Sequence, residues 1–387
     1  MVVPYLSLYI LSLGATATQL GMVISLGMFL AGLVGPFSGW YIDRIGPRKI
    51  YLLGIGLVAC SYLTYGLAND WTFAFIAMAT YWLGYSLSTH SCATICGNCL
   101  VNKDRATGMM ICETFAAGLL GMAGPLIGAW LVTLFGGVTT AGIRPLFFVA
   151  FLFSGITFVI VMTQLSNQRW HTSPHAPHLL RDLSQVLREG QHLKRWLLIA
   201  SLGQMPLGMV FSFSQVFAHE IQGADEFMLA AMVTGSALTS IIFAMPLGRL
   251  ADRVGRKRVL YISIPLFWLS TILLIVSPHP AFLLAAGILQ GFYYIGGPIA
   301  GAMERELVPA EHMGRWIGIA RFTKMLFNAV ATFLAGIIWD KVGPQYVFLS
   351  FVAIDLVFRL PLLISMPETL RFQTKPATVP TIIDPTD

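Results

Sequence analysis

Hydrophobic positions along this chain do not alternate with polar ones; they run in long blocks between short polar turns. Val2–Ile42, Ile50–Leu67, Pro145–Leu165, Trp196–Ala218, Phe227–Leu247 and Val259–Val276 contain no Asp, Glu, Lys or Arg. Most of these blocks reach the ~20 residues that a helix needs to cross a ~30 Å hydrocarbon core. The every-second-residue pattern of a barrel strand is absent, so the backbone must satisfy itself within helices. Breaking the blocks at turns and charged loops predicts twelve helices, near 2–13, 18–42, 50–67, 71–101, 106–135, 145–165, 196–221, 226–250, 259–276, 280–306, 314–340 and 345–366.

Composition agrees with an all-α polytopic membrane protein: 56% of the 387 residues are hydrophobic and 11% charged, against about 25% charged in soluble domains. The net charge of +6 reports topology and implies no nucleic acid, because the basic residues gather in alternate loops. Placing the Asp43-Arg44 loop in the cytoplasm puts Arg48, Lys49, Lys103, Arg105, the middle linker and Arg249 to Arg258 there too. The five cysteines all fall in apolar segments and imply no disulfide framework.

The predicted organisation is an N-terminal bundle over 1–165, a linker over 166–195, a C-terminal bundle over 196–366 and a tail over 367–387, with linker and tail cytoplasmic. In the linker, Leu179, Leu183, Val186, Leu187 and Leu193 recur at helical spacing, as in a helix lying on the membrane surface. Its His171, His175, His178 and His192 read as a solvated stretch rather than a metal site.

An internal repeat relates the two bundles. Gly39-Trp40-Tyr41-Ile42-Asp43-Arg44-Ile45-Gly46-Pro47-Arg48-Lys49 recurs 209 positions later as Gly248-Arg249-Leu250-Ala251-Asp252-Arg253-Val254-Gly255-Arg256-Lys257-Arg258. Arg105 and Gly108 recur as Arg315 and Gly318 at an offset of 210. Gly39 and Gly248 are expected to allow close helix approach, and Gly46 and Gly255 a tight turn. Asp43 and Asp252 are then placed to bond buried donors or a helix N-terminus. The same repeat puts the counterpart of the seventh helix start about fifteen residues before Met1, so the first helix reads as truncated, with a stretch before it missing; at 1.5 Å per residue it would span only about 18 Å. The opening has no basic stretch ahead of its apolar run, so a secretory leader is not expected.

The twelve helices in two halves, the middle linker and the doubled Gly-x-x-x-Asp-Arg-x-Gly loop resemble the major facilitator superfamily, most closely its drug/proton antiporters. The resemblance implies that Gly39, Asp43, Arg44, Gly46 and Arg48, with Gly248, Asp252, Arg253, Gly255 and Arg256, latch the halves in one state of an alternating-access cycle, each Asp facing a helix start across the interface. Pro47 stands where the second copy has Arg256, so the second latch is expected to be the stronger. The family's Arg-x-x-Gln-Gly element is only partly present: Thr80 stands in place of its Arg, beside Gly84, and helix ten keeps Gln290-Gly291 alone. Gly124, Pro125 and Gly128 resemble the Gly-Pro-x-x-Gly hinge of the antiporters' fifth helix.

Ionisable groups inside spanning helices are costly and mark function. Glu113 in helix five, His90 in helix four, and Arg321, Lys324 and Asn328 on one face of helix eleven are therefore candidates for the coupling site or substrate cavity, with Gln290 beside them. Glu113 is the expected carboxylate partner of Arg321 and Lys324, and the expected proton or cation site. Asp355 and Arg359, four apart in helix twelve, read as a structural pair. Cys92, Cys96 and Cys99 near His90 read as helix packing and not as a metal site.

Together these features point to a monomeric secondary transporter of a small organic solute, driven by protons or another ion, with no cofactor, in the plasma membrane or in the inner membrane of a bacterium. Efflux of drug-like compounds is the first expectation, and symport or facilitated uptake of a sugar or other metabolite the second. A membrane sensor is the alternative from another class. An embedded enzyme would need clustered His, Asp or Glu, and the sequence offers scattered singles.

Overall fold

The computed structural model describes residues 1–99, 117–166, 192–308 and 313–369. It is built of helices: α1 (Leu6–Ser12), α2 (Ala17–Ile45), α3 (Pro47–Leu67), α4 (Phe73–Cys99), α5 (Ala117–Leu134), α6 (Thr140–Gln164), α7 (Leu193–Glu220), α8 (Glu226–Val254), α9 (Arg256–Val276), α10 (Pro280–Leu307), α11 (Met313–Lys341) and α12 (Pro344–Ser365). Nine of them, among the described residues, are long and apolar enough to cross a membrane. Their bounds lie close to those expected from the apolar blocks, except that the expected start of the fifth helix, 106–116, lies outside the described residues. Two are not continuous α-helix: α7 carries a π-helical turn at Leu207–Phe211 and α12 another at Asp355–Arg359. Such turns often mark functional positions in a helix.

Local chemistry sets several ends. Thr16 and Gln19 form a reciprocal capping box at the start of α2, and Asp225 accepts the Met228 N–H at the start of α8. Gly46 and Gly255, equivalent in the repeat, have φ of 100° and 116°, a region that glycine enters without a Cβ penalty. Each ends one helix and starts the next, so the predicted tight turn is present in both copies.

Packing repeats with the sequence. In the first half α4 lies against both α2 and α3, and α6 against α3; in the second, α10 lies against α8 and α9, and α12 against α9. The halves meet through two symmetric pairs, α2 with α11 and α5 with α8, and through α1 against α7. Helices α2 and α11 cross closely: a Cβ on Gly21 would lie 2.8 Å from the Thr332 carbonyl oxygen, and one on Gly336 2.4 Å from that of Ala17. Small residues at such a crossing let backbones approach where lipid supplies no hydrophobic drive. Gly248 departs from expectation, since a Cβ there would meet nothing within 4 Å; it faces open space and mediates no close helix approach.

Large apolar side chains such as Leu152, Phe153, Ile156 and Ile160 on α6 are exposed, as a lipid-facing surface requires. Tyr9, Tyr65 and Phe147 form a buried aromatic cluster joining α1, α3 and α6.

Candidate functional site

The second copy of the repeated loop is a connected set of charges within one half. Arg256 at the start of α9 donates from Nη1 to Asp252 Oδ1 at 2.6 Å and from Nη2 to Glu306 Oε1 at 3.0 Å. Glu306, at the end of α10, is the buried anchor, its side chain 5% exposed against 63% for Asp252. The backbone N–H groups of Arg256 and Lys257, unpaired within the helix because they open it, donate to the two carboxylate oxygens of Glu368 at 3.0 and 3.3 Å. Lys257 Nζ donates in turn to the carbonyls of Ile364 and Met366, just before Glu368.

This corrects the expected role of Asp252. The carboxylate at this helix start is Glu368, and Asp252 binds Arg256, four residues on, rather than a helix across the interface. Arg253 lies in the last turn of α8 and Arg44 in the last turn of α2, where a cation complements the C-terminal helix charge. In the first copy Arg48 donates to the Met162 carbonyl at the end of α6. The backbones of Gly39 and Asp43 run within α2, and the Asp43 side chain lies outside the described set.

A carboxylate does cap a helix across the halves, at the other end of the bundle. Asp340 Oδ2 on α11 accepts the Thr18 N–H of α2 at 2.8 Å, and Thr18 Oγ1 donates to the Gly336 carbonyl. Nearby, Tyr5 donates to the Glu226 carbonyl and Thr133 to the Glu226 carboxylate.

The predicted polar face of α11 divides between three environments. Lys324 pairs with Glu304 of α10, which also accepts a hydrogen bond from Trp316 Nε1. Glu304 was not legible as a partner, because Met303-Glu304-Arg305-Glu306 reads as the polar end of a spanning helix. Glu113, the partner expected from sequence, lies outside the described residues. Arg321, one turn earlier, turns to the first half, where a guanidinium nitrogen meets His90 Nε2 of α4. Asn328 is fully buried against the π-helical turn of α7, its Oδ1 2.5 Å from where a Cβ on Gly208 would stand.

Gln290 is buried in α10. Gly124 and Gly128 flank Pro125 inside α5 and pack on the backbone of Met1.

Within the second half, α7, α9, α10, α11 and α12 enclose a cavity of about 270 Å³. One part of its wall is aromatic, with Phe267, Tyr293 and Tyr294; another carries Lys324 with Glu304, and Arg359 with Asp355. Asp355 is 3% exposed and accepts from Arg359 at 3.2 Å and from Trp268 Nε1 at 2.8 Å. The pair expected to be structural therefore also lines the cavity. The π-helical turn of α12 spans both residues. Arg321, Asn328, Gln290 and His90 do not line this cavity. An aromatic wall facing paired charges suits a solute with an apolar body and a polar or charged group.

Among the described residues no group of three His, Cys, Asp or Glu is placed to hold a metal ion. The Cys96 and Cys99 side chains and the linker histidines His171, His175 and His178 lie outside the described set.

Two helical halves of matched packing, meeting through two symmetric helix pairs, define a membrane transporter of the alternating-access type. The family model described as Major Facilitator Superfamily matches residues 1–233 and 209–380. The chain belongs to that superfamily. It is 27% identical over 330 residues to "Multidrug resistance protein MdtG" of Yersinia enterocolitica, covering 80% of this chain and 72% of that protein. A protein of the same name from Escherichia coli is 24% identical over 323 residues, covering 80% and 74%. Among solved structures, a D-xylose-proton symporter superposes with a TM-score of 0.72 at 14% identity, covering 95% of each chain. The nucleoside transporter NupG superposes at 0.70 and 17%, covering 94% of this chain and 95% of that one. These superpositions concern the fold.

Proposed function

We propose that this protein exports amphipathic, drug-like solutes from the cell in exchange for protons. The observation that carries the reading is the cavity in the second half, where Phe267, Tyr293 and Tyr294 share a wall with the Lys324–Glu304 and Arg359–Asp355 pairs. The rings would take the apolar body of the solute, and the paired charges would exchange partners with its polar group. The names borne by the relatives from Yersinia and Escherichia support the same direction.

In this reading 1–165 and 196–366 are the bodies that rock, 166–195 joins them and 367–387 is a tail. The linker, the tail and both signature loops face the cytoplasm, where positive loops are retained. The chain works as a monomer in the plasma membrane, the inner membrane in a bacterium. The loop residues Gly39, Asp43, Arg44, Gly46 and Arg48, with Asp252, Arg253, Gly255 and Arg256 of the second copy, steady the bundle ends, Pro125 with Gly124 and Gly128 supplies the bend of α5, and Glu113 contributes to coupling.

The test is reconstitution in liposomes with an imposed pH gradient and an amphipathic fluorescent cation such as ethidium. Movement of the dye against its gradient, with dissipation of the pH gradient, is the expected result. Dye-independent proton flux that a sugar accelerates in its own direction would replace export by symport. Absence of any solute flux under any gradient would favour a sensor.

A further inference from the structure

We infer that His90 is a proton-operated lock between the halves: its Nε2 lone pair holds Arg321 of the second half, and a proton bound there releases it. The inference rests on the transporter reading and adds where and how a proton acts.

The tautomer follows from the partners. Ser38 Oγ lies 2.6 Å from the Gly35 carbonyl oxygen and 2.6 Å from His90 Nδ1. A carbonyl only accepts, so the single hydroxyl hydrogen of Ser38 is directed to Gly35, and Oγ is left to accept from Nδ1–H. The other ring nitrogen then carries the lone pair. It faces a guanidinium nitrogen of Arg321, and a guanidinium has no acceptor. Both ends of the ring thus require the same neutral form, with hydrogen on Nδ1 and none on Nε2.

The elements make this a contact between halves. Ser38 is on α2 and His90 on α4, both in the first half; Arg321 is on α11 in the second. The guanidinium has no carboxylate partner among the described residues, and its side chain lies against Gly35, whose added Cβ would be 3.3 Å from Arg321 Cδ. Among the described residues, the charged or titratable groups around the ring are few. Arg321 faces it from α11, Ser38 is the polar contact from α2, and Tyr85 of α4 acts electrostatically on the guanidinium. From α3, which packs along α4, no described charged group acts on the ring.

Proton binding and the cross-half hydrogen bond compete for one lone pair. A proton arriving at Nε2 makes the ring a cation with donors at both nitrogens, opposed to a second cation. The N–H···N bond is lost, and the like charges drive α11 from α4 at the Gly46 end of the bundle. The imidazole is the side chain whose ordinary titration range is near neutral pH. No covalent bond changes; the proton enters from water and leaves by the same route on relocking.

The test measures the gap at that end directly, without any solute. Spin labels at Ile45→Cys on α2 and Ile317→Cys on α11, both exposed sites, report the distance in the full chain, with native cysteines replaced, in liposomes over roughly pH 3.5 to 9. A short distance at alkaline pH that gives way to a longer population at acid pH is expected. His90→Gln, whose amide oxygen still accepts from Arg321, should stay short throughout, and His90→Arg should stay long throughout. Arg321→Met reaches the same contact from the other side and should abolish the pH dependence. Ser38→Ala should move the midpoint of the transition. A wild-type distance that does not respond to pH, or a response that His90→Gln and Arg321→Met leave intact, overturns the lock. Because no solute enters, the outcome is separate from that of the export experiment.

Discussion

Asp340 and Thr18 join the two halves through a helix cap: the carboxylate of α11 accepts a backbone N–H in the first turn of α2 at 2.8 Å. The N-terminal turn of a helix offers unpaired donors and partial positive charge, so an acceptor there stabilises the contact by about 0.3–1 kcal/mol when solvent reaches it. This cap sits at the end of the bundle opposite the Gly46 and Gly255 turns. The contact with His90 holds the halves nearer those turns, so the structure brings them together at both levels.

Asp340→Asn keeps the shape but weakens this cap. The prediction is a modest shift toward separation at the Thr18 end, read as a longer population between labels on α2 and α11 there, with a change in thermal stability below about 1 kcal/mol. No change in either quantity would remove the cap from the list of cross-half contacts.

The Lys324–Glu304 pair is partly buried, with side chains 19% and 13% exposed. Removing one member leaves a poorly solvated charge, which costs roughly 3 kcal/mol in well-buried pairs. Glu304→Gln and Lys324→Met should each lower the melting temperature and dye export, whereas the double variant should regain much of the stability without regaining export. Additive stability losses in the double variant would show that the two groups do not act as a pair.

In the second signature loop the ordering of effects follows burial. Glu306→Gln removes a carboxylate whose side chain is 5% exposed and leaves Arg256 with the exposed Asp252, while Asp252→Asn removes one that is 63% exposed. Exposed ion pairs contribute about 0–1 kcal/mol. Thermal unfolding and transport should both suffer more from Glu306→Gln. Asp252→Asn should in turn impair transport more than Asp43→Asn, since Pro47 stands where the second copy has Arg256. Equal or reversed losses in either comparison would count against the corresponding ordering.

Two glycines of the same motif should respond oppositely to alanine. Gly255 has φ of 116°, and a Cβ there would be 2.6 Å from Glu368 Oε2; Gly255→Ala should cost about 1–3 kcal/mol and loosen the cap on α9. Gly248 meets open space in a helix interior, so Gly248→Ala should be neutral or stabilising by up to about 1 kcal/mol. Paired thermal melts in detergent check both.

Much of the architecture was legible in one dimension because it depends on local or periodic features. Charge-free blocks of spanning length marked the helices, and the repeated loop marked two related halves. Gly46 and Gly255 marked matching turns because only a backbone freed of Cβ enters that region easily. Lys324, Arg321 and His90 could be singled out because ionisable groups are rare inside membrane helices. The same reasoning overreached at Gly248, where a motif glycine turned out to face open space, and at Asp252, whose partner is four residues away.

Which groups meet was decided only by tertiary structure. In a bilayer the lipid-facing side of a helix is as apolar as the packed side, so hydrophobic periodicity does not fix how each helix is rotated. A rotation of about 60° separates residues three apart on a helix, and it sends Arg321 to His90 in one half and Lys324 to Glu304 in the other. Glu306 and Glu368 look in sequence like ordinary charges near the ends of spanning segments, and only folding delivers them to the start of α9. The sequence by itself determined the number, length and repeat of the helices, because those follow from bilayer thickness and turn chemistry. The fold determined the cavity, the caps and the contact across the halves, because those depend on tilt, rotation and the approach of residues hundreds of positions apart.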